Sequence, residues 1–371
     1  MPAKPLLFTA FLAAPVFAQS APCEKLASLS LPESTITLTQ PVGAGEFRPA
    51  AGPPARFQNL PAFCRVTATL VPSKDSDIKI EVWLPASGWN GKFQAVGNGG
   101  WSGAINQAAL AAAVRRGYAA AGTDTGHSGS SAAFALAHSE KLIDFAYRAV
   151  HEMTVKAKAI IAAYYGSSAT LSYWNGCSSG GKQGLKEAQR FPNDYNGIIA
   201  GAPANYWTHL MAGDLWPAYV TLKDPAGYIP PAKYPLIHQA VLEACDALDG
   251  VKDGLLEEPR RCKFDPRVLL CKGEDNSACL TALQVEAVRK IYSGPSNPRT
   301  GQEIFPGLAP GSELGWVLSG EVLSRSAFRW SISSTSYSKI RSGISKPWIS
   351  TVTWPSPTRS TTACSTPLTR T

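Results

Sequence analysis

The sequence lacks any apolar stretch long enough to cross a membrane. A membrane-spanning helix needs roughly 20 mainly apolar residues, and the mostly apolar run at 6–17 is too short. This run follows Lys4 and ends in small residues around Ala18, which is typical of a secretory signal peptide. We therefore expect residues 1–18 to be a signal peptide and the protein to be secreted or periplasmic, without membrane insertion.

Acidic residues are absent after Glu321, although the chain as a whole carries a net charge of +8. Most of the excess positive charge therefore lies in this last segment, on Arg325, Arg329, Lys339, Arg341, Lys346, Arg359 and Arg370. The rest of the chain is nearly neutral, and the basic segment lacks the helical or aromatic-interleaved order of nucleic-acid-binding regions. This distribution argues against a nucleic-acid partner.

The segment 323–371 also lacks a sustained helix or strand period and is close to half Ser and Thr. So abrupt a change of composition predicts a disordered tail or a change of reading frame in the gene. Before this tail, between residues 19 and 205, short apolar strands alternate with helical patterns. This alternation predicts an α/β fold in which helices cover both faces of a parallel sheet.

The segment 176–180 reads GCSSG and matches the pattern G-x-S-x-G. It follows an apolar strand and precedes a helical pattern, so Ser178 would stand on a tight turn with its oxygen exposed above the sheet. Side chains two residues to either side would collide with the strand or the helix, which accounts for the glycines. We predict Ser178 as a nucleophile; the alternative is an ordinary Gly/Ser turn.

Acyl transfer also needs amide donors for the oxyanion and a base for the serine. The predicted amides are those of Ser179, at the start of the helix, and Gly100, after an early strand; a plain turn is the alternative for Gly100. In α/β-hydrolases the histidine follows the serine, but only His209 and His238 do so here. His127 follows a strand and could act as the base or hydrogen-bond a loop.

Residues 206–322 carry aromatic residues scattered among prolines, without a sheet period. We predict an inserted lid domain there, with one helix at 281–292 capped by Thr281. Two closely spaced cysteine pairs favour the disulfides Cys245–Cys262 and Cys271–Cys279, although four cysteines allow three pairings. Cys23 and Cys64 form a plausible third pair near the N-terminus.

Three carboxylates occur within eight residues of this region, on Asp246, Asp249 and Asp253. The glycines between them allow tight turns, and backbone carbonyls could complete an oxygen shell for a hard cation. The spacing is not that of an EF-hand. The alternative is a solvated acidic turn.

Together these features resemble the tannase/feruloyl esterase family of secreted α/β-hydrolases. The resemblance runs from about residue 23 to about 321, and its most specific motifs are 176–184, 124–127, 245–255, and 280–295 followed by 305–307. It implies a carboxylic ester hydrolase that acts on aromatic esters, hydroxycinnamoyl, galloyl or related, through a serine acyl-enzyme. It also supports the three disulfides named above.

The resemblance further implies a structural calcium ion in the lid. Its ligands would be the side chains of Asp246, Asp249 and Asp253 and the carbonyl oxygens of Val251 and Leu255.

The sequence departs from this family after the lid. There the family has the catalytic acid and a His-Cys pair whose cysteine bonds to the one beside the nucleophile, here Cys177. Cys364 has no adjacent histidine, so we expect Cys177 to lack that partner and the acid and base to be absent from this chain. We expect a truncated, impaired enzyme without the last strands of the sheet, through a frame change near 323–332; the alternative is a non-catalytic remnant with a calcium-binding lid.

Overall fold

The computed structural model describes residues 20–49 and 57–316, and the chain divides into two compact units. The first unit comprises the described part of Met1–Gly129 together with Phe134–Gly201. The second comprises Ser130–Ala133 and the described chain from Ala202 onward, whereas the predicted lid began at residue 206. The predicted signal peptide and the tail at 323–371 lie outside the described residues.

The first unit is built on a seven-stranded sheet with the order β1-β2-β3-β5-β4-β6-β7. Its strands are β1 (Ser34–Val42), β2 (Phe63–Leu70), β3 (Ile78–Pro85), β4 (Lys92–Val96), β5 (Ala119–Thr123), β6 (Leu171–Cys177) and β7 (Gly197–Gly201). The pairs from β1 through β2 and β3 to β5 are antiparallel, and the pairs β5–β4, β4–β6 and β6–β7 are parallel.

The predicted parallel sheet is present in the pairs β5–β4, β4–β6 and β6–β7, whereas the N-terminal strands extend it with antiparallel pairs. The link between β2 and β3, at 71–77, is too short for the crossover that two parallel neighbours need, about a dozen residues or more. A short link of this kind joins antiparallel strands. By contrast, helices connect β4 to β5 and β6 to β7, and within each of these two pairs the strands run parallel.

Helices of the first unit cover both faces of this sheet. They are α1 (Gln107–Arg115), α2 (Ser139–Ile143), α3 (Ala149–Tyr165) and α4 (Ser179–Arg190). Val82 packs in the core cluster that includes Met153 of α3, and its neighbour Trp83 packs in the cluster that includes Leu110 of α1. Because successive strand residues point to opposite faces, the two clusters lie on the two sides of the sheet.

The long helix predicted at 142–165 is interrupted. A π-helical turn at Asp144–Arg148 lies between α2 and α3, and Asp144 and Phe145 of this turn are buried. Such turns have no marked sequence period, so the pattern at 142–165 predicted one continuous helix. Gly166 ends α3 with a φ of 68°, as the sequence indicated.

The second unit is helical in its described part, with α5 (Trp207–Leu222), α6 (Tyr234–Cys245) and α7 (Ala282–Ser293). The prediction of α7 was confirmed, including its cap: Thr281 and Gln284 form a reciprocal capping box. Helices α5 and α6 were not predicted. Pro217 lies inside α5, and prolines among aromatic residues had concealed the helical pattern.

The structure contains the three predicted disulfides. The sulfur atoms are 1.95 Å apart in Cys23–Cys64, 1.98 Å in Cys245–Cys262 and 1.94 Å in Cys271–Cys279. Disulfides of this kind persist in oxidising compartments. Among the described helices, none combines the length and the apolar character that a membrane span requires.

Candidate active site

Ser178 occupies the turn between β6 and α4. Its backbone has a φ of 59° and a ψ of −119°, a conformation that residues other than glycine rarely adopt. Its amide donates to the carbonyl oxygen of Gly201, at the end of the neighbouring parallel strand β7, over 3.0 Å. The sheet therefore fixes this strained residue at the carboxyl ends of its parallel strands, where the sequence had predicted a nucleophile.

The first glycine of the motif, Gly176, allows β6 and α4 to touch at this turn. A Cβ atom on Gly176 would lie 2.4 Å from the carbonyl oxygen of Gly180, which is closer than any real contact. The same oxygen accepts a hydrogen bond from Nε1 of the buried Trp174 over 2.9 Å. The strand and the helix are thus in direct backbone contact, and the serine between them has no freedom to relax.

The loop after β4 is bound to the first turn of α4. The amide of Gly180 donates to the carbonyl oxygen of Asn98 over 2.8 Å, and Oγ of Ser179 donates to the carbonyl oxygen of Gly100 over 2.8 Å. The amide of Ser179 belongs to the first residue of α4, where helix amides lack an intrahelical acceptor. The residues that carry both predicted oxyanion amides, Gly100 and Ser179, are therefore direct neighbours.

Two buried amide side chains, those of Asn98 and Gln183, fix the loop after β4 through hydrogen bonds. Asn98 is 7% exposed and Gln183 is 2% exposed. Nδ2 of Asn98 donates to the carbonyl oxygens of Ala104 and Thr123, over 2.9 and 2.8 Å, and its Oδ1 accepts from Nε2 of Gln183 over 3.2 Å. Neither residue was predicted to have this role, although Gln183 lies within the 176–184 motif. Only the fold shows that these amides face each other.

His127 supports the same loop. Its ring is buried, its Nε2 lies 2.8 Å from the carbonyl oxygen of Trp101 and therefore donates to it, and the ring stacks on Phe134 with centroids 3.8 Å apart. Burial lowers the pKa of His127 below its ordinary value of 6.5. His127 was predicted either to act as the base or to hydrogen-bond a loop, and in the structure it hydrogen-bonds the loop.

The other histidines of the first unit are also engaged away from Ser178. Nδ1 of His138 pairs with Asp75 over 2.9 Å, and Nδ1 of His151 pairs with Asp194 over 2.7 Å. In the described part of the first unit, no histidine therefore has Ser178 as its hydrogen-bond partner. His209 and His238 belong to the second unit, where Nδ1 of His238 pairs with Glu313 over 2.9 Å.

Cys177, the residue before the serine, is disulfide-bonded and is not a free thiol. The expectation that it lacks its family partner concerns a part of the chain beyond the described residues.

In the second unit, the acidic loop folds back on its own backbone. Each aspartate carboxylate accepts a hydrogen bond from a backbone amide of the loop, over 3.0 to 3.1 Å. The donors are the amides of Gly254 to Asp246, Val251 to Asp249 and Leu255 to Asp253. The nearest ion pair in sequence, Arg260 with Glu258, does not involve these aspartates. Carboxylates and backbone carbonyls are donors that suit a hard cation, but within the described ranges the three carboxylates are not among the groups whose ligand atoms lie within 4.8 Å of one another.

A serine at positive φ between a parallel strand and a helix is the nucleophile-elbow arrangement of α/β-hydrolases. The family model for tannase and feruloyl esterase matches residues 64–345. The chain belongs to the tannase and feruloyl esterase family.

Individual relatives agree with this assignment. The chain is 44% identical over 293 residues to an uncharacterized esterase of Xanthomonas campestris, covering 78% of this chain and 50% of the relative. It is 41% identical over 253 residues to a probable feruloyl esterase B-2 of Aspergillus flavus, covering 68% of this chain and 48% of that protein. The chain thus spans about half the length of the curated relatives it matches.

Solved structures show the same architecture. Feruloyl esterase B from Aspergillus oryzae superposes with a TM-score of 0.70 at 33% identity, covering 79% of this chain and 59% of that one. Tannin acyl hydrolase from Aspergillus niger superposes with a TM-score of 0.59 at 24% identity, covering 80% of this chain and 57% of that one, and this likeness shows the fold alone.

The backbone contact at the turn predicts a large cost for one added methyl group. Gly176→Ala should lower the free energy of unfolding by about 3 kcal/mol, because its Cβ meets a backbone oxygen that cannot move aside. Gly99→Ala is the matched control, since its Cβ meets no atom within 4 Å. Urea unfolding of both variants measures the difference, and equal midpoints would contradict this account of the turn.

The buried His127 predicts a dependence of stability on pH. Its pKa is lowered in the folded state, so its contribution is complete above the unfolded pKa of about 6.5 and is lost as the pH falls below it. His127→Gln keeps a donor for the Trp101 carbonyl but cannot be protonated. Between pH 7 and pH 5, the urea midpoint of the wild type should therefore fall more than that of the variant, and parallel curves would refute this.

Proposed function

We propose that this chain carries the acyl-transfer site of a carboxylic ester hydrolase of the tannase/feruloyl esterase type. The observation that carries the proposal is the position of Ser178 on a positive-φ turn, next to the start of α4 and the loop of Gly100. Ser178 would attack the ester carbonyl, and water would hydrolyse the resulting acyl-enzyme. The names of its relatives support aromatic esters, hydroxycinnamoyl, galloyl or related, as the substrate class.

The amides of Gly100 and Ser179 would stabilise the oxyanion that forms during this attack. Both residues are held by hydrogen bonds before any substrate binds, so the donors need not reorganise during the reaction. The positive end of the α4 dipole adds to the same stabilisation.

In the described part of the first unit, no histidine is in position to act as a general base for Ser178. The three histidines of the described first unit, His127, His138 and His151, are bonded to other groups, and general-base catalysis contributes about 10²- to 10⁴-fold to a rate. We therefore propose slow turnover for this chain. The same observation favours the second candidate function, a non-catalytic member of the family with a calcium-binding loop.

We propose further that the loop at 246–255 binds one structural calcium ion. The side chains of Asp246, Asp249 and Asp253 and the carbonyl oxygens of Val251 and Leu255 would hold it, and the Cys245–Cys262 disulfide closes the segment that contains them. The ion would neutralise three neighbouring carboxylates and stabilise the loop. We place the protein in an exported, oxidising compartment, with a small-molecule ester as its partner and no nucleic acid.

The nucleophile proposal predicts selective labelling of one serine. A fluorophosphonate probe should label the full chain at Ser178, and Ser178→Ala should abolish both the label and the hydrolysis of p-nitrophenyl esters. Ser167→Ala, which removes an exposed hydroxyl of the same unit, is the control and should change neither. Unchanged hydrolysis in Ser178→Ala would refute the nucleophile, and the absence of label in the folded wild type would favour the non-catalytic alternative.

The calcium proposal predicts stabilisation by calcium that depends on the loop. After chelator treatment, millimolar Ca²⁺ should raise the Tm of the wild type by several degrees through mass action. Asp249→Asn should lose most of this rise, whereas Glu274→Gln, an exposed carboxylate outside the loop, should keep it. Differential scanning calorimetry measures both, and an equal rise in the two variants would place the calcium elsewhere.

A further inference from the structure

Away from the proposed active site, three metal-ligating side chains of the first unit converge. His151 lies on α3, Glu187 on α4 and Asp194 in the link between α4 and β7. One ligand atom of each side chain, an imidazole nitrogen or a carboxylate oxygen, lies within 4.8 Å of the other two, and Nδ1 of His151 is 2.7 Å from Oδ2 of Asp194. No sequence pattern connects the three residues, because they are separated by 36 and 7 residues along the chain.

Glu187 is the unusual member of this cluster. It is 0% exposed, and among the described residues neither of its carboxylate oxygens has a hydrogen-bond donor. Its carboxyl group faces that of Asp194, which as a carboxylate can only accept. A buried charge without a partner is strongly unfavourable, so Glu187 requires either a proton shared with Asp194 or a cation.

The cationic side chain nearby does not satisfy Glu187. Nζ of Lys158 donates to the main-chain carbonyl oxygen of Asp194 and not to either carboxylate. The His151 ring is held in place by stacking on Phe191, with centroids 3.8 Å apart. The surroundings therefore leave a place for positive charge between the three side chains.

We propose that His151, Glu187 and Asp194 form a binding site for one divalent first-row transition-metal ion, with Zn²⁺ as the representative. One imidazole nitrogen with two carboxylates is a donor set that suits zinc, whereas calcium prefers oxygen ligands alone. Three protein ligands leave one tetrahedral position for water. The side chains of His151 and Asp194 are 28% and 13% exposed, so the ion can enter from the solvent on their side.

The site would act on the active-site helix through structure and not through chemistry. Helix α4 begins directly after Ser178, and Glu187 lies in its C-terminal half. An ion shared with His151 and Asp194 would link α4 to α3 and to the start of the β7 segment. It would also replace an unfavourable carboxylate pair with a neutralised one.

The test measures zinc binding directly. Untagged full-length protein is stripped with a chelator, saturated with Ca²⁺ to fill other oxygen sites, and titrated with Zn²⁺ by calorimetry, with bound zinc counted after desalting. We expect about one Zn²⁺ per chain and a rise of several degrees in Tm. Glu187→Gln should weaken zinc binding by at least about tenfold, since even the loss of a group that only supports a ligand typically costs about 10- to 100-fold in metal affinity, and should remove the rise in Tm.

Two further variants make the outcome decisive. His151→Gln should lose zinc binding in the same way, and its fold is checked by circular dichroism. This second variant keeps the test valid if Glu187→Gln folds poorly. Glu152→Gln alters the neighbouring carboxylate of α3, which pairs with Lys156, and should bind zinc like the wild type. Absence of zinc binding by the wild type at micromolar concentration, or wild-type affinity in both ligand variants, would overturn the proposal and leave a shared proton between the two carboxyl groups.

Discussion

The contact between the backbones of Gly176 and Gly180 is the constraint on which the site depends. Because Gly176 has no Cβ atom, β6 and α4 approach closely, and Ser178 is the single residue between the strand and the helix. Ser178 then takes a positive φ, which it would avoid in an unconstrained chain. Strain of this kind persists only where the surrounding structure over-determines it, and here the sheet provides that through the Gly201 carbonyl.

A second set of interactions holds the loop of Gly100 against this turn. Asn98, Gln183 and Ser179 are buried polar side chains, and each has its partner within the loop or the helix. His127 holds the same loop through its hydrogen bond to the carbonyl oxygen of Trp101. Buried polar groups that are fully paired rigidify a structure, so these four residues hold the loop of Gly100 against the start of α4.

The elements that the sequence predicted best are those whose pattern is local. The strands at 78–85 and 197–201 and the capped helix α7 were found with nearly correct bounds, since period-2 alternation, glycine punctuation and a capping box each lie within a few residues. The G-x-S-x-G turn was found for the same reason. Missed features were the helices α5 and α6, whose prolines and aromatic residues mask the period, and the π-helical turn that interrupts the predicted helix at 142–165.

The sequence by itself determined which short segments form strands, helices and the serine turn, because those choices depend on neighbours along the chain. Tertiary structure alone decided that the N-terminal strands pair antiparallel and that Asn98 meets Gln183. It also decided that Glu187 is buried against Asp194 and His151. The physical reason is that the burial and the hydrogen-bond partners of a polar side chain depend on segments distant in sequence, which only the packed sheet and helices bring together.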